Sequence, residues 1–167
     1  MEPAQTGLSP SASPEVKMPK PMLIEELVAG DNQSLDAAAH LLVVAFDDCD
    51  RYNEARIRAQ LLPSPAPFYR KFFLARQNGA VNGVGGIKAA DWATDTHILF
   101  LSAVAEEARG QGIAKALTRA RIEWVQTNFS SGRLLVSTAH KKRFATYGFR
   151  PFSKEKPSCR TLMVLEF

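Results

Sequence analysis

Apolar residues recur along this chain with two periods, and the switches between them mark out its elements. Leu35, Ala38, Ala39, Leu42, Val43 and Phe46 fall at helical spacing behind Asp31 to Ser34, which offers several N-cap side chains. A second helical stretch, Asn53 to Leu62, stops at Pro63, Pro65 and Pro67, where missing N–H groups make continuation costly. Phe72 to Gln77 and Val81 to Ala89 predict two strands joined by Asn78-Gly79, a pair that suits a two-residue hairpin turn. His97 to Val104 predicts another strand. After a glycine-bearing turn, Ile113, Ala116, Leu117, Ala120, Trp124 and Val125 line one face of a helix from Gly112 to Asn128. Arg133 to Thr138 predicts a short buried strand, and a short helix then ends at Gly148, a residue suited to the left-handed position past a helix end. Leu23 to Val28 predicts an opening strand, and Phe149 to Lys154 and Arg160 to Phe167 closing ones.

Residues 1–22 carry Pro3, Pro10, Pro14, Pro19 and Pro21 among Ser, Ala and Thr, which predicts a disordered leader ahead of a single domain over residues 23–167. The chain's 167 residues, 46% hydrophobic and 23% charged, suit one such domain. Cys49 and Cys159 have neither Cys-x-x-Cys spacing nor a companion His pair, so neither structural zinc nor a redox motif is expected. With no apolar core of a signal peptide and no run of 18 apolar residues, the expected setting is cytoplasmic, without a membrane span.

Charge changes the picture. Residues 1–105 hold nine Lys and Arg against twelve Asp and Glu, a net of −3, whereas residues 106–167 hold twelve against five, a net of +7. The second half should face an anion, either nucleic acid or a phosphorylated cofactor. Its opening segment supplies a cradle for one. A strand runs into Arg109-Gly110-Gln111-Gly112-Ile113-Ala114 and a helix leaves it, so glycines admit a close ligand and the first helical turn presents unpaired N–H groups. Arg109 and Lys115 add positive charge. Two other phosphate loops do not match: there is no Gly-x-x-x-x-Gly-Lys-Ser/Thr, and Lys115 stands where the dinucleotide fingerprint needs a third Gly or Ala.

Arg109, Gly112 and Ala114 fit the pattern Arg/Gln-x-x-Gly-x-Gly/Ala, which resembles the acetyl-coenzyme A signature of the GCN5-related N-acetyltransferase (GNAT) family. The element order from residue 23 to 167 and the Tyr147-Gly148-Phe149 terminus resemble that family too. The resemblance implies an α+β fold with a central, mixed, mostly antiparallel twisted sheet flanked by helices. It implies that N–H groups of Arg109, Gly110, Gln111, Gly112, Ile113 and Ala114, with Lys115, hold the pyrophosphate of acetyl-CoA, the acyl donor. Ser102 and Val104 would meet pantetheine, and Phe144 would also contact the coenzyme. No metal is implied.

The expected reaction is N-acetylation of a small-molecule or peptide amine by direct attack on the thioester. Members of the family often carry a Glu on the signature strand; here only His97 and Asp95 stand near its start, and His97 is the candidate base. The usual acidic Tyr position holds Phe144, which leaves Tyr147 as candidate acid. For the acceptor, Asp47 and Asp48, with Asp50, form an acidic cluster whose place at a helix C-terminus opposes the dipole, and Tyr52 and Tyr69 are expected to line the same cleft. Two alternatives remain: an acyl-CoA-binding sensor without turnover, favoured by the missing Glu and displaced Tyr, and an RNA-directed acyltransferase, disfavoured because no aromatic and basic interleaving is evident. A homodimer through the closing strands is a further possibility.

Overall fold

The computed structural model describes residues 21–153 and 159–167. Most of the expected leader, and the end of the strand expected to reach Lys154, lie outside those residues. The elements are β1 (Met22–Glu26), α1 (Asn32–Phe46), α2 (Glu54–Leu61), β2 (Arg70–Gln77), β3 (Ala80–Ala89), β4 (Thr96–Val104), α3 (Ile113–Asn128), β5 (Arg133–Thr138), α4 (Lys141–Ala145), β6 (Arg150–Pro151) and β7 (Thr161–Glu166). Local chemistry sets their ends. The Asp31 carboxylate accepts the Ser34 N–H at 3.0 Å to cap α1, and Asn53 accepts the Arg56 N–H at 3.0 Å to cap α2. Asn78 and Gly79 take φ of 52° and 79°, the left-handed pair that a tight hairpin needs. β6 is shorter than expected, two residues where the sequence pattern suggested six.

Seven strands form one sheet in the order β1-β2-β3-β4-β5-β7-β6, antiparallel everywhere except between β4 and β5. A parallel pair needs a crossover, and α3 supplies it. Both faces of the sheet are covered, so the middle of β2 is apolar without alternation. Phe72 and Leu74 join Leu42, Ile57 and Val84 in one core beneath α1 and α2, while Phe73 and Ala75 join Ile87, Leu117 and Val125 in the other beneath α3. Burying such a side chain contributes about 1.5–3 kcal/mol each.

Glycines of β3 set how closely α3 approaches. A Cβ on Gly83 would lie 2.5 Å from Cγ2 of Ile113 and 3.0 Å from Cδ1 of Leu117, so the first turn of α3 rests directly on the strand. Gly83→Ala is expected to destabilise the domain by about 1–3 kcal/mol through overpacking, lowering Tm by roughly 2–10 °C in thermal unfolding. An unchanged Tm would mean that α3 yields freely there.

Candidate active site

β4 and β5 pair from Thr96 with Arg133 to Leu99 with Val136 and then part, although β4 runs on to Val104. The parting begins at an irregularity. Against β3, Phe100 pairs with Gly86 and Ala103 with Val84, so Leu101 and Ser102 together face only Gly85. Leu101 carries φ of 40°, an unfavourable conformation for a leucine that costs about 1–3 kcal/mol. Beyond the bulge the Ala105 N–H donates to the Asn82 carbonyl of β3, at 2.9 Å. The Val104 N–H, one residue earlier in an extended strand, therefore points to the other edge, which β5 has left.

A 3-10 turn, Glu106–Ala108, leads into the glycine loop. Gly110 and Gly112 have φ of 78° and 82°, and Gly112 caps α3 without a side-chain bond. The Ala116 N–H is the first of the helix to find its acceptor, the Gly112 carbonyl at 3.0 Å. Among the described residues no acceptor serves the N–H groups of Gly110, Gln111, Gly112, Ile113, Ala114 or Lys115, a run of six donors at the positive end of a helix dipole. A recess of about 560 Å³ lies over this loop, bordered by Ser102, Val104, Arg109, Gly110, Gly112, Ile113, Ala114 and Lys115. It can hold a diphosphate. The Gln111 side chain turns aside to the Glu107 carbonyl, at 3.4 Å.

A second, larger cleft of about 1140 Å³ occupies the gap between the strands, with Leu99 to Ser102 on one side, Leu135 to Thr138 on the other, and the α1–α2 connection at one end. His140 and Arg143 border both spaces. Arg121 of α3 lies in the cleft's wall and is 2% exposed. Its Nε donates to the Leu117 carbonyl at 2.9 Å and its Nη1 to the Gly86 carbonyl at 3.1 Å, while Nη2 reaches the Ser102 hydroxyl at 3.3 Å. Room for it comes from Gly85, where a Cβ would lie 2.8 Å from the guanidinium carbon. No carboxylate pairs with it among the described residues. Burial, with a smaller push from Arg143, lowers its pKa to about 10, so it stays charged at neutral pH.

Residues 35–149 match the sequence profile of the Acetyltransferase (GNAT) family. The chain belongs to the GNAT acetyltransferase family. Solved structures similar to this GNAT domain include an acyl-CoA N-acyltransferase from Pseudomonas aeruginosa, at 14% identity and TM-score 0.69, covering 86% of this chain and 99% of that one. The ribosomal-protein-S18-alanine N-acetyltransferase from Escherichia coli is similar at 17% identity and TM-score 0.64, covering 87% and 92% of the two chains. A GNAT family acetyltransferase from Elizabethkingia anophelis with acetyl-CoA bound is similar at 20% identity and TM-score 0.62, covering 87% and 98%. No curated protein matches the chain. These likenesses establish the GNAT fold, a mixed and mostly antiparallel seven-stranded sheet flanked by helices. Among the described residues no helix is long and apolar enough to cross a membrane.

The structure places several of the residues expected in the GNAT site away from both spaces. His97, expected as a base, is 3% exposed and borders neither space; its Nδ1 shares a hydrogen bond of 2.7 Å with the Tyr69 hydroxyl. The pair sits at the far end of β4 among Phe129, Trp124 and Phe167, because the strand begins there and the site lies at its other end. Burial lowers the His97 pKa and raises that of Tyr69, which keeps both neutral. Tyr69 likewise borders neither space. Asp47 and Asp48 border neither space either: Asp47 takes the left-handed stop of α1 at φ of 45°, and the Asp48 carboxylate accepts the Arg51 N–H at 3.0 Å. Their acidity serves the turn. Tyr52 does border the cleft, stacked on Phe46 with ring centroids 4.4 Å apart.

Tyr147 is another of them. Its hydroxyl donates to the Lys115 carbonyl at 3.3 Å and borders neither space, whereas Phe144, one turn earlier, faces the cleft under the Arg143 guanidinium, 5.3 Å from its ring centre. The Phe149 N–H bonds the Phe144 carbonyl at 3.3 Å, which fixes the end of α4 ahead of Gly148. Residues missed in the sequence are His140 and the arginines at 51, 56, 121, 143 and 160, all bordering the cleft. No spacing rule marks them, because they come from five separate segments.

Two substitutions test this geometry. Gly112→Glu is expected to reduce acetyl-CoA affinity at least 100-fold in calorimetry relative to Gly112→Ala, which carries the same strain of a side chain at φ of 82° without the charge, because the added carboxylate enters the anion recess. Near-normal affinity would show that the recess does not receive the coenzyme. Tyr147→Phe, in contrast, is expected to leave kcat within about twofold, since a hydroxyl bound to a helix carbonyl is not available to a leaving group. A 100-fold fall in kcat would restore it as the acid.

Proposed function

We propose that this domain transfers an acetyl group from acetyl-CoA to a primary amine by direct attack of the amine on the thioester. The row of six unpaired N–H groups from Gly110 to Lys115, placed at the mouth of the gap between β4 and β5, carries this reading. A diphosphate fits the row and a narrow chain fits the gap. When bound, acetyl-CoA supplies an acetyl carbon joined to sulfur, so that a C–N bond forms as the C–S bond breaks and the departing sulfur takes the electron pair. The Val104 N–H, aimed into the gap, stabilises negative charge developing on the thioester oxygen. Ser102 stands two residues before it on the same edge, its hydroxyl oriented by Arg121.

Protons need an account as well. An alkyl amine with a pKa near ~10.4 arrives protonated and must lose two protons in all, one before attack and one after, while the sulfur gains one. No carboxylate borders the cleft among the described residues. His140 is the one imidazole that does, at the corner where β5 meets α4, with its backbone N–H held by the Thr138 hydroxyl at 2.9 Å. We assign it the proton transfer, with water taking the remainder. The missing tyrosine hydroxyl at Phe144 favours a second reading, an acyl-CoA sensor without turnover.

Incubation of the full chain with acetyl-CoA and a panel of amines separates the two. Amine-dependent thiol release is expected; its absence with every amine, alongside tight acetyl-CoA binding, would leave the sensor. His140→Gln is expected to lower kcat by about 100-fold with little change in acetyl-CoA affinity. An unaltered kcat would assign both proton steps to water.

A further inference from the structure

Among the described residues the charged side chains that border the cleft are all of one sign. Arg51 comes from the turn between α1 and α2, Arg56 from α2 and Arg160 from the residue before β7; all three border the cleft and none borders the recess over the loop. Arg109 and Lys115 do the reverse, bordering the recess but not the cleft. The molecule thus has two separate cationic groups. Coenzyme phosphates held at the loop account for one of them and leave the other without an anion.

Among the described residues no carboxylate neutralises the second group. Arg58, Lys71, Arg76 and Arg150 each pair with a carboxylate, whereas Arg51, Arg56 and Arg160 pair with none among the described residues. The last two are held by neutral oxygens instead. Arg56 Nη1 donates to the Asp50 carbonyl at 2.9 Å, and Arg160 donates to the Ser137 carbonyl at 2.5 Å and to its hydroxyl at 3.3 Å. A guanidinium has five N–H donors, so these bonds orient the groups and leave most donors unused. Like charges gathered at one cleft repel, and an oxyanion there relieves the repulsion while filling the free donors in pairs. Buried Arg121, held by carbonyl and hydroxyl oxygens and by no carboxylate among the described residues, adds to the same field.

We propose that the acceptor is an amine that also carries an oxyanion, a carboxylate or a phosphate ester, received by Arg51, Arg56 and Arg160 while the amine reaches the gap between β4 and β5. This rests on the acetyl-transfer reading and narrows its substrate. Polyamines and other purely cationic amines are excluded by the same charge. Trp92, 67% exposed at the cleft's edge, and the Phe46–Tyr52 stack offer apolar cover to the body of such a molecule.

Matched pairs test the inference: an amino acid against its amide, and 2-aminoethyl phosphate against ethanolamine, each with acetyl-CoA and the full chain. The oxyanionic member of at least one pair is expected to have a kcat/KM at least tenfold higher, and the pair that shows it identifies the anion. In Arg51→Gln and Arg56→Gln chains that preference should shrink to within about twofold, with the KM for acetyl-CoA unchanged. Binding without turnover gives an independent measurement, comparing N-acetylated amino acid with its amide, and N-acetylated 2-aminoethyl phosphate with N-acetylethanolamine, by calorimetry. If no amine releases thiol, the acetyl-transfer reading fails, and these binding pairs alone decide the anion site. Equal values within both pairs, or a preference that survives both substitutions, would overturn the proposal.

Discussion

Four register pairs hold β4 against β5, from Thr96 with Arg133 to Leu99 with Val136, and the rest of the site follows from their ending there. A sheet interior normally pairs every backbone N–H and C=O, because an unpaired buried group costs about as much as a lost hydrogen bond. Here the centre of a seven-stranded sheet opens, and the bulge at Leu101 and Ser102 is the device that opens it. The extra residue turns the strand, leaves it bonded to β3 and frees its other edge. The freed edge, the glycine loop and the first turn of α3 are consecutive in the chain, so one local irregularity places donors along the whole length of the cleft.

α3 is tied to this opening from below. As the crossover of the single parallel pair it has to return across the sheet, and β3 meets it with glycine where other strands would present a side chain. Gly83 brings Ile113 down onto the strand, which fixes the height of the loop that precedes it. Gly85 leaves a hole that Arg121 fills, and the guanidinium then bonds the Gly86 carbonyl of β3 and the Ser102 hydroxyl of β4. A buried charge without a carboxylate is costly. Its bonds span the bulge from one strand to the next, so it braces the distorted segment, and its charge is spent in the wall of the cleft.

What could be read in the sequence was local. The helix cap at Asp31, the Asn78-Gly79 turn and the glycine at 148 each act over a few residues, and all stand where the pattern put them. The glycine loop was legible for the same reason: strand, loop and helix are contiguous, and the motif contains its own geometry. The places of His97 and Tyr147 were not legible in this way, because each was judged by distance along the chain from a motif. Along β4, about 3.3 Å per residue carries His97 some 20 Å from Val104. Tyr147 lies three residues past Phe144 and beyond the end of α4, where its hydroxyl meets the Lys115 carbonyl of α3.

The acceptor end shows how summed charge can mislead. Residues 1–105 are net negative, and their densest acidic run, Asp47 to Asp50, stands beside the cleft in sequence. That made a cationic acceptor the natural expectation. In the structure Asp47 takes the left-handed stop of α1 and the Asp48 carboxylate caps the turn that follows, while the long side chains of Arg51, in that turn, and Arg56, in α2, border the cleft. Local backbone structure claims these two acids, and neither borders the cleft. The sign of a site is thus set by which charges remain after capping is satisfied, and here those that remain are positive.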